Sequence, residues 1–373
     1  MRVITQAILI ICFIIIATSC RQQYEPPAIQ ANNNYLVVDG FLNAGPDSTM
    51  ITLTRTRNLI DTVLTKPELS ASVLIEGDGG YTNQLTDLEN GVYGAGNLNL
   101  DNNQQYRIRI STNNGSQYLS DFVPVKQTPA IDSVNWHYDS SGVNIYVNTH
   151  DPQNNTRYYR WQYEETWKYR SVYYSTLIYQ NGQLLTRTPD QEVFYCWKTQ
   201  NGTNIITGTS SKLSEDIIYR YPLIFIPQAS EKLSIKYSVL VKQSAITKEA
   251  FEYWENLKKN TEQLGSIFDA QPSEIAGNIH SITNPGEPVM GYFSVSTLQQ
   301  KRIFIDNNQI GAWYYTIGCE PEIVIPVPWS LYLANGGYIP TVETLPGIIK
   351  GALATCVDCT LHGGVNVKPV FWQ

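Results

Sequence analysis

Two runs decide the fold class: Tyr35-Leu36-Val37-Val38-Asp39-Gly40 and Met50-Ile51-Thr52-Leu53-Thr54-Arg55, separated by the turn signal Gly45-Pro46-Asp47. Apolar and polar residues alternate through both, and β-branched residues are frequent. A period of two sends one set of side chains to a buried face and the other to solvent, the pattern of a half-buried strand. The same reading extends to Ala71-Ser72-Val73-Leu74-Ile75-Glu76, Gly91-Val92-Tyr93 and Tyr106-Arg107-Ile108-Arg109-Ile110. Gly77-Asp78-Gly79-Gly80 and Asn113-Asn114-Gly115 supply turns between them. Short strands at this spacing predict an immunoglobulin-like β-sandwich over residues 34–126.

A linker-like Val125-Lys126-Gln127-Thr128-Pro129 opens a second strand series, Ile131-Asp132-Ser133-Val134-Asn135-Trp136 and Val143-Asn144-Ile145-Tyr146-Val147. After the turn Asp151-Pro152-Gln153-Asn154-Asn155, the run Tyr158-Tyr159-Arg160-Trp161-Gln162-Tyr163 resembles the aromatic strand of fibronectin-type sandwiches. One helix interrupts the pattern, over about 247–264. Thr247 can cap it, Glu249 sits in its first turn, Phe251, Trp254, Leu257 and Leu264 recur at helical spacing, and Gly265 can stop it. Gly291–Ser296 and Lys301–Ile305 read as closing strands. The expected architecture is mainly β: the N-terminal sandwich, then a larger fibronectin-like β domain over 127–373 with the inserted helix.

The N-terminus carries Arg2, a nearly continuous apolar run from Ala7 to Ala17, and Ala17-Thr18-Ser19-Cys20. The run is short for a membrane span and ends in small residues, which predicts a signal peptide over 1–19. Cysteine directly after Ala-Thr-Ser resembles a bacterial lipobox, so cleavage before Cys20 and lipidation of its thiol are expected. Residues 20–33, with Pro26-Pro27 and few apolar side chains, read as an extended tether from the lipid anchor.

The net charge is −7, and loss of Arg2 alone would make it −8. With Lys and Arg scattered, this argues against nucleic acid or anionic headgroups as ligands. The 25 tyrosines suggest an all-β protein with wet, hydrogen-bonding surfaces. Removal of Cys12 and lipidation of Cys20 leave Cys196, Cys319, Cys356 and Cys359. An even number in an oxidising compartment predicts two disulfides, with three connectivities open.

Catalytic chemistry finds no foothold. Redox use of Cys356-Val357-Asp358-Cys359 would need a following helix, which Thr360-Leu361-His362-Gly363-Gly364 does not offer. Recruiting Cys196, Cys319 and His362 gives no zinc-ribbon spacing. His137, His150, His280 and His362 stand far apart, and Asp101-Asn102-Asn103 lacks calcium-loop spacing. Glu164 and Glu165 would point to opposite faces of a strand. No enzymatic activity, metal or cofactor is therefore expected. The segment Tyr158–Tyr179 is rich in Tyr, Trp and Arg, the residue types of binding hot spots. Half would face a core. The excess, Trp167, Tyr169, Arg170, Tyr173 and Tyr174, is the predicted exposed recognition surface.

Several ordered pieces make the mature chain similar to a family of Bacteroidota lipoproteins known as domain of unknown function 4249. They are Tyr24-Glu25-Pro26-Pro27 after the lipobox, Leu36–Gly40, Leu53-Thr54-Arg55-Thr56, Pro129–Val134, Tyr195-Cys196-Trp197, Gly277-Asn278 and Gly291-Tyr292-Phe293. Cys356–Thr360 and Lys368-Pro369-Val370-Phe371-Trp372 complete them. The family has no activity to carry over. The resemblance implies an outer-membrane lipoprotein encoded beside TonB-dependent receptors, and by analogy with lipoprotein lids an accessory subunit for nutrient uptake. The partner would be a TonB-dependent outer-membrane transporter, and the cargo a peptide, glycan or metal chelate. Many surface-exported members of that phylum carry an acidic run after the lipidated cysteine. Here Arg21–Glu25 has one acid, so the periplasmic face and the cell surface both stay open. The alternative is a structural or adhesive surface lipoprotein.

Overall fold

The computed structural model describes residues 34–56, 66–262 and 276–373; the expected signal peptide, Cys20 and the tether lie outside them. Alternation in the opening strands places Leu36, Val38, Ile51 and Leu53 inward, all almost fully buried. Their sheet runs in the order Met290–Ser296, Leu36–Asn43, Thr49–Arg55, Val92–Ala95, Thr86–Asp87. The sheet facing it runs Ile279–Ser281, Gln117–Ser120, Gln105–Ser111, Ser72–Gly77, Thr82–Gln84, with Val123–Pro124 beside the start of Gln105–Ser111. Val73, Ile75, Ile108 and Ile110 meet the first sheet in one core.

The expected boundary at residue 126 does not close this unit. Ile279–Ser281 and Met290–Ser296 return from far along the chain, one to each sheet, and Ile279, Val289, Phe293 and Val295 share its core. Met290–Ser296 lies parallel to Leu36–Asn43, with Gly291 opposite Val38. Parallel neighbours need a long crossover, and here it contains most of the second sandwich. Gly291 has φ +123°, and a Cβ there would lie 2.0 Å from the Val38 carbonyl oxygen, so only glycine fits. Asn278 bridges the same strand: its amide donates to the Phe293 carbonyl at 2.9 Å and its oxygen accepts from the Phe293 N–H at 2.8 Å.

In the second sandwich, a three-stranded sheet of Ile131–Asp139, Gly142–Asp151 and Asp216–Pro227 packs on a larger one. That one runs Tyr195–Asn201, Tyr158–Arg170, Lys236–Ala245, Leu298–Asp306, with Ile206–Thr209 also pairing with Tyr158–Arg170. Val143, Ile145, Val147, Trp161, Val239, Val241 and Ile305 fill the space between. The chain crosses between the sandwiches at 125–130, between the helix and Ile279, and at Thr297. The join is hydrogen-bonded: the Thr128 hydroxyl meets Ser296 Oγ at 2.8 Å and accepts the Ala245 N–H at 2.9 Å.

The helix forms where expected, as Lys248–Glu262, with Thr247 Oγ1 accepting the Ala250 N–H at 3.2 Å. The expected end at 264 lies outside the described residues. Its apolar side packs Ala250 and Tyr253 against Tyr292, the Tyr253 hydroxyl accepts the Gly291 N–H at 2.9 Å, and Arg160 stacks on Trp254 at 3.8 Å. The helix thus braces the returning strand against the second sandwich.

Residues beyond 306 are not part of either sandwich core except Ile310, Trp313 and Cys359. They build a small unit with its own sheet, Ile323–Val324, Ile348–Leu353, Tyr338–Leu345, and the short helix Ala354–Val357. The tail ends on the larger sheet: Trp372 is buried against Trp197 and Phe304, and Arg302 covers Phe371 at 3.6 Å.

Candidate functional site

The predicted recognition surface is divided by the strand that carries it. Tyr158–Arg170 is the central strand of its sheet, and its odd-numbered side chains face the opposing sheet. Trp167 (6% exposed) and Tyr169 (0%) are therefore core residues, which corrects the expectation that they bind a partner. The Trp167 indole N–H donates to Glu231 Oε2 at 2.9 Å, and the Lys198 ammonium reaches the same oxygen at 2.8 Å. Burial would raise the Glu231 carboxyl, but these two donors outweigh it and hold the carboxyl below its usual range. The Tyr169 hydroxyl donates to the Cys359 carbonyl at 2.6 Å, and burial pushes its pKa up to about 12. Tyr173 is half-buried and donates to the Glu320 carbonyl at 3.1 Å. Only Arg170 and Tyr174 remain exposed. Tyr174 stands edge-on to Phe194, and Arg170 lines a cleft of about 380 Å³ with Ser171, Val172, Trp313 and Tyr314.

Tyrosine abundance has a structural explanation as well. Tyr93, Tyr106, Tyr118, Tyr159, Tyr169 and Tyr237 are all almost completely buried, not on wet surfaces. Each hydroxyl is satisfied. Tyr93 donates to Glu68 O at 2.8 Å, Tyr118 to Glu287 Oε1 at 2.8 Å, Tyr237 to Glu165 Oε1 at 2.7 Å, and Tyr159 to Asp216. A ring fills the core while its hydroxyl ties down a loop or a carboxylate.

Four cysteines pair as Cys196–Cys359 and Cys319–Cys356. The Cys356-Val357-Asp358-Cys359 motif is therefore split between two disulfides, one to the larger sheet and one within the C-terminal unit. The first is reinforced by Trp197 and Val365, which exchange backbone hydrogen bonds at 2.8 and 2.9 Å.

Several charged groups elsewhere are paired. Glu165 is buried and accepts from Lys232 at 2.6 Å and from Tyr237, while Glu164 on the other face meets Arg302 at 3.1 Å. The Tyr159 and Tyr237 phenols, pushed up by burial and then by their carboxylates, keep their protons. His150 pairs with Asp132 at 2.8 Å, His280 lies 3.6 Å from Asp121, and His362 contacts the Thr355 carbonyl at 2.6 Å. Among the described residues, no three His, Cys, Asp or Glu side chains converge on a metal-sized site, and no helix is long and apolar enough to cross a membrane.

What stands open instead is aliphatic. On the C-terminal unit Val324, Val327, Leu331, Leu345 and Ile348 are exposed, Val327 by 79% and Leu345 by 62%. The strand pattern read from the sequence stops at Ile305; the runs Ile323-Val324-Ile325 and Leu345-Pro346-Gly347-Ile348-Ile349 are the signal beyond it.

These features describe a disulfide-tied, mainly β protein of two interlocked sandwiches. The chain belongs to the family described as domain of unknown function DUF4249, whose model matches residues 21–302. The C-terminal pieces of the resemblance lie beyond that match. No curated protein matches the chain.

Proposed function

We propose that the protein is a non-catalytic, lipid-anchored accessory subunit of a TonB-dependent outer-membrane receptor, serving nutrient capture or uptake. The observation that carries this reading is the aliphatic surface of the C-terminal unit, secured to a double-sandwich frame by Cys196–Cys359. Val324, Val327, Leu331, Leu345 and Ile348 put five exposed aliphatic side chains on this one small unit, and exposed apolar side chains in number favour a protein or membrane contact. The lipobox-like Ala17-Thr18-Ser19-Cys20 supports the anchoring.

The test is a pull-down of the tagged, lipidated protein from its native membrane in mild detergent, with mass spectrometry of what accompanies it. A TonB-dependent receptor near equal stoichiometry is expected, and Val324→Asp with Leu345→Asp should release it. Recovery of the bait alone, or of cell-wall and matrix material, overturns the proposal in favour of an adhesive role.

A further inference from the structure

An antiparallel sheet with one face on a core ordinarily turns polar side chains to solvent on the other. The three-stranded sheet of the second sandwich adds large apolar and aromatic side chains to that face. Ile217, Tyr219 and Phe225 stand on its open face, Tyr219 exposed by 76% and Phe225 by 51%. Cross-strand pairing sets Phe225 beside Asn144 and Pro222 beside Tyr146, with His137 and Asn135 next in the same rows. The result is a face that carries aromatic rings together with side-chain amides and an imidazole.

Local backbone geometry builds this face. Between inward-pointing Ile218 and Tyr221, alternation alone would expose one residue, yet Tyr219 and Arg220 are both exposed. A register shift between Val147 and Thr149 supplies the extra position, and Arg220 adopts φ +49°, a left-handed conformation unfavourable for a side chain of its size. Asn148 holds it there: its oxygen accepts the Arg220 N–H at 2.7 Å, while its own amide donates to Ser133 Oγ at 2.9 Å. The Arg220 guanidinium lies over the Tyr146 ring, 4.9 Å from its centroid. Among the described residues no carboxylate pairs with it. Addition of a strand to the Asp216–Pro227 edge is obstructed by Pro222 and by the register shifts, so recognition uses the face.

We infer that this face binds carboxylated oligosaccharides, with sugar rings lying on Tyr219 and Phe225 and a carboxylate on Arg220. The occupant is chosen by complementarity. Sugar rings present an apolar C–H face to aromatic rings and hydroxyl edges to the Asn135, Asn144 and His137 side chains. An aliphatic protein partner would leave those polar groups unpaired at a cost. The unpaired guanidinium calls for a single anionic group, which it can grip through two parallel N–H bonds. Asp132, Asp139 and Asp151 on the same sheet oppose a polyanion such as nucleic acid. As the cargo-recognition face of an accessory subunit, the inference rests on the reading above.

The test is calorimetric titration of the full chain in detergent with sialyllactose and a xylo-oligosaccharide bearing one glucuronate, each beside its carboxyl-reduced counterpart. At least one acidic sugar should bind, and more tightly than its reduced form. Tyr219→Ala should weaken binding about tenfold or more, and Arg220→Ala should erase the preference for the acid. Both side chains are exposed, and unchanged unfolding midpoints would establish that the variants fold. Absence of binding across the panel, or unchanged binding and acid preference in both Tyr219→Ala and Arg220→Ala, overturns the inference. The receptor pull-down is run on the same variants. Receptor recovered without sugar binding sinks this inference alone, and sugar binding without receptor sinks the subunit reading alone.

Discussion

Cys196–Cys359 is the bond on which the docking of the C-terminal unit depends most. It closes a stretch with a sequence separation of 163 residues. In the chain-entropy treatment a loop of that length restrains the unfolded chain by about 5 kcal/mol. Cys319–Cys356, with a separation of 37, gives about 4 kcal/mol on the same treatment. The native side adds to the first value. Cys196 and Cys359 are fully buried, so their loss leaves a void beside Tyr169 and slackens the hydrogen bonds from Cys359 N to Val193 O (2.9 Å) and from Tyr169 to Cys359 O. Replacing both residues by alanine should therefore lower the urea midpoint more than replacing Cys319 and Cys356 does. Measured disulfide contributions often fall below the entropic figure, so a loss of about 2–5 kcal/mol is expected. A companion thiol titration of the denatured, unreduced wild type should find none of these four cysteines free. Equal midpoints for wild type and Cys196→Ala/Cys359→Ala, or titratable thiols in the wild type, would refute the reasoning.

Other consequences are open to direct measurement. Arg55, 7% exposed, pairs with Glu68 at 2.6 Å and lies 3.6 Å from Glu287, so Arg55→Met strands two carboxylates and should cost about 3–5 kcal/mol in denaturant unfolding. Trp167→Ala should cost about 3–5 kcal/mol, whereas Tyr174→Ala should stay within about 0.5 kcal/mol, the reverse of what a shared binding surface would give. Glu76 accepts from Arg109 at 2.7 Å and Arg107 at 2.6 Å, and these partners hold its carboxyl below the usual range. Its contribution is present above the unfolded carboxylate value near ~4.3 and is lost as pH falls through the lower folded value. Glu76→Gln should accordingly be less stable than wild type at neutral pH, with the two stability curves converging at the acid end.

Sequence periodicity identified the strands well because a half-buried strand writes its burial into every second residue. Leu36–Asn43, Thr49–Arg55, Ser72–Gly77 and Gln105–Ser111 all follow that rule, and the helix was legible from its cap and its 3–4 spacing. What periodicity cannot carry is the identity of a strand's neighbour. Met290–Ser296 has the same pattern whether it closes the second sandwich or returns to the first, and the choice is made by contacts with Val38 and Asn278 that are remote in sequence. The misassigned surface has a related cause. Tyr, Trp and Arg raise the odds of an interface only when their strand leaves them uncovered, and Tyr158–Arg170 is flanked by strands on both sides and covered on its inner face. Tyr219 and Arg220 escaped notice because a register shift and one left-handed residue expose them, and neither leaves a compositional mark.

The motifs that carry the family resemblance mostly describe a join, not a binding site. Leu36–Gly40 is the strand that receives Gly291-Tyr292-Phe293 in parallel, and Gly277 must also lack a side chain because a Cβ would lie 2.0 Å from the Gly291 carbonyl. Asn278 ties the returning strand, and the Pro129 carbonyl accepts from Gln243, whose oxygen in turn holds the Trp161 indole at 2.8 Å in the second core. With three covalent crossings, a buried hydrogen-bonded seam and a bracing helix, hinge motion between the sandwiches would break contacts on every side. The exposed side chains proposed for recognition are on other elements: Val324, Val327 and Leu345 in the C-terminal unit, and Tyr219 and Arg220 on a bulged edge strand. A frame locked in this way holds those elements in a fixed relation, as the proposed role of carrying cargo while docked on a receptor would require.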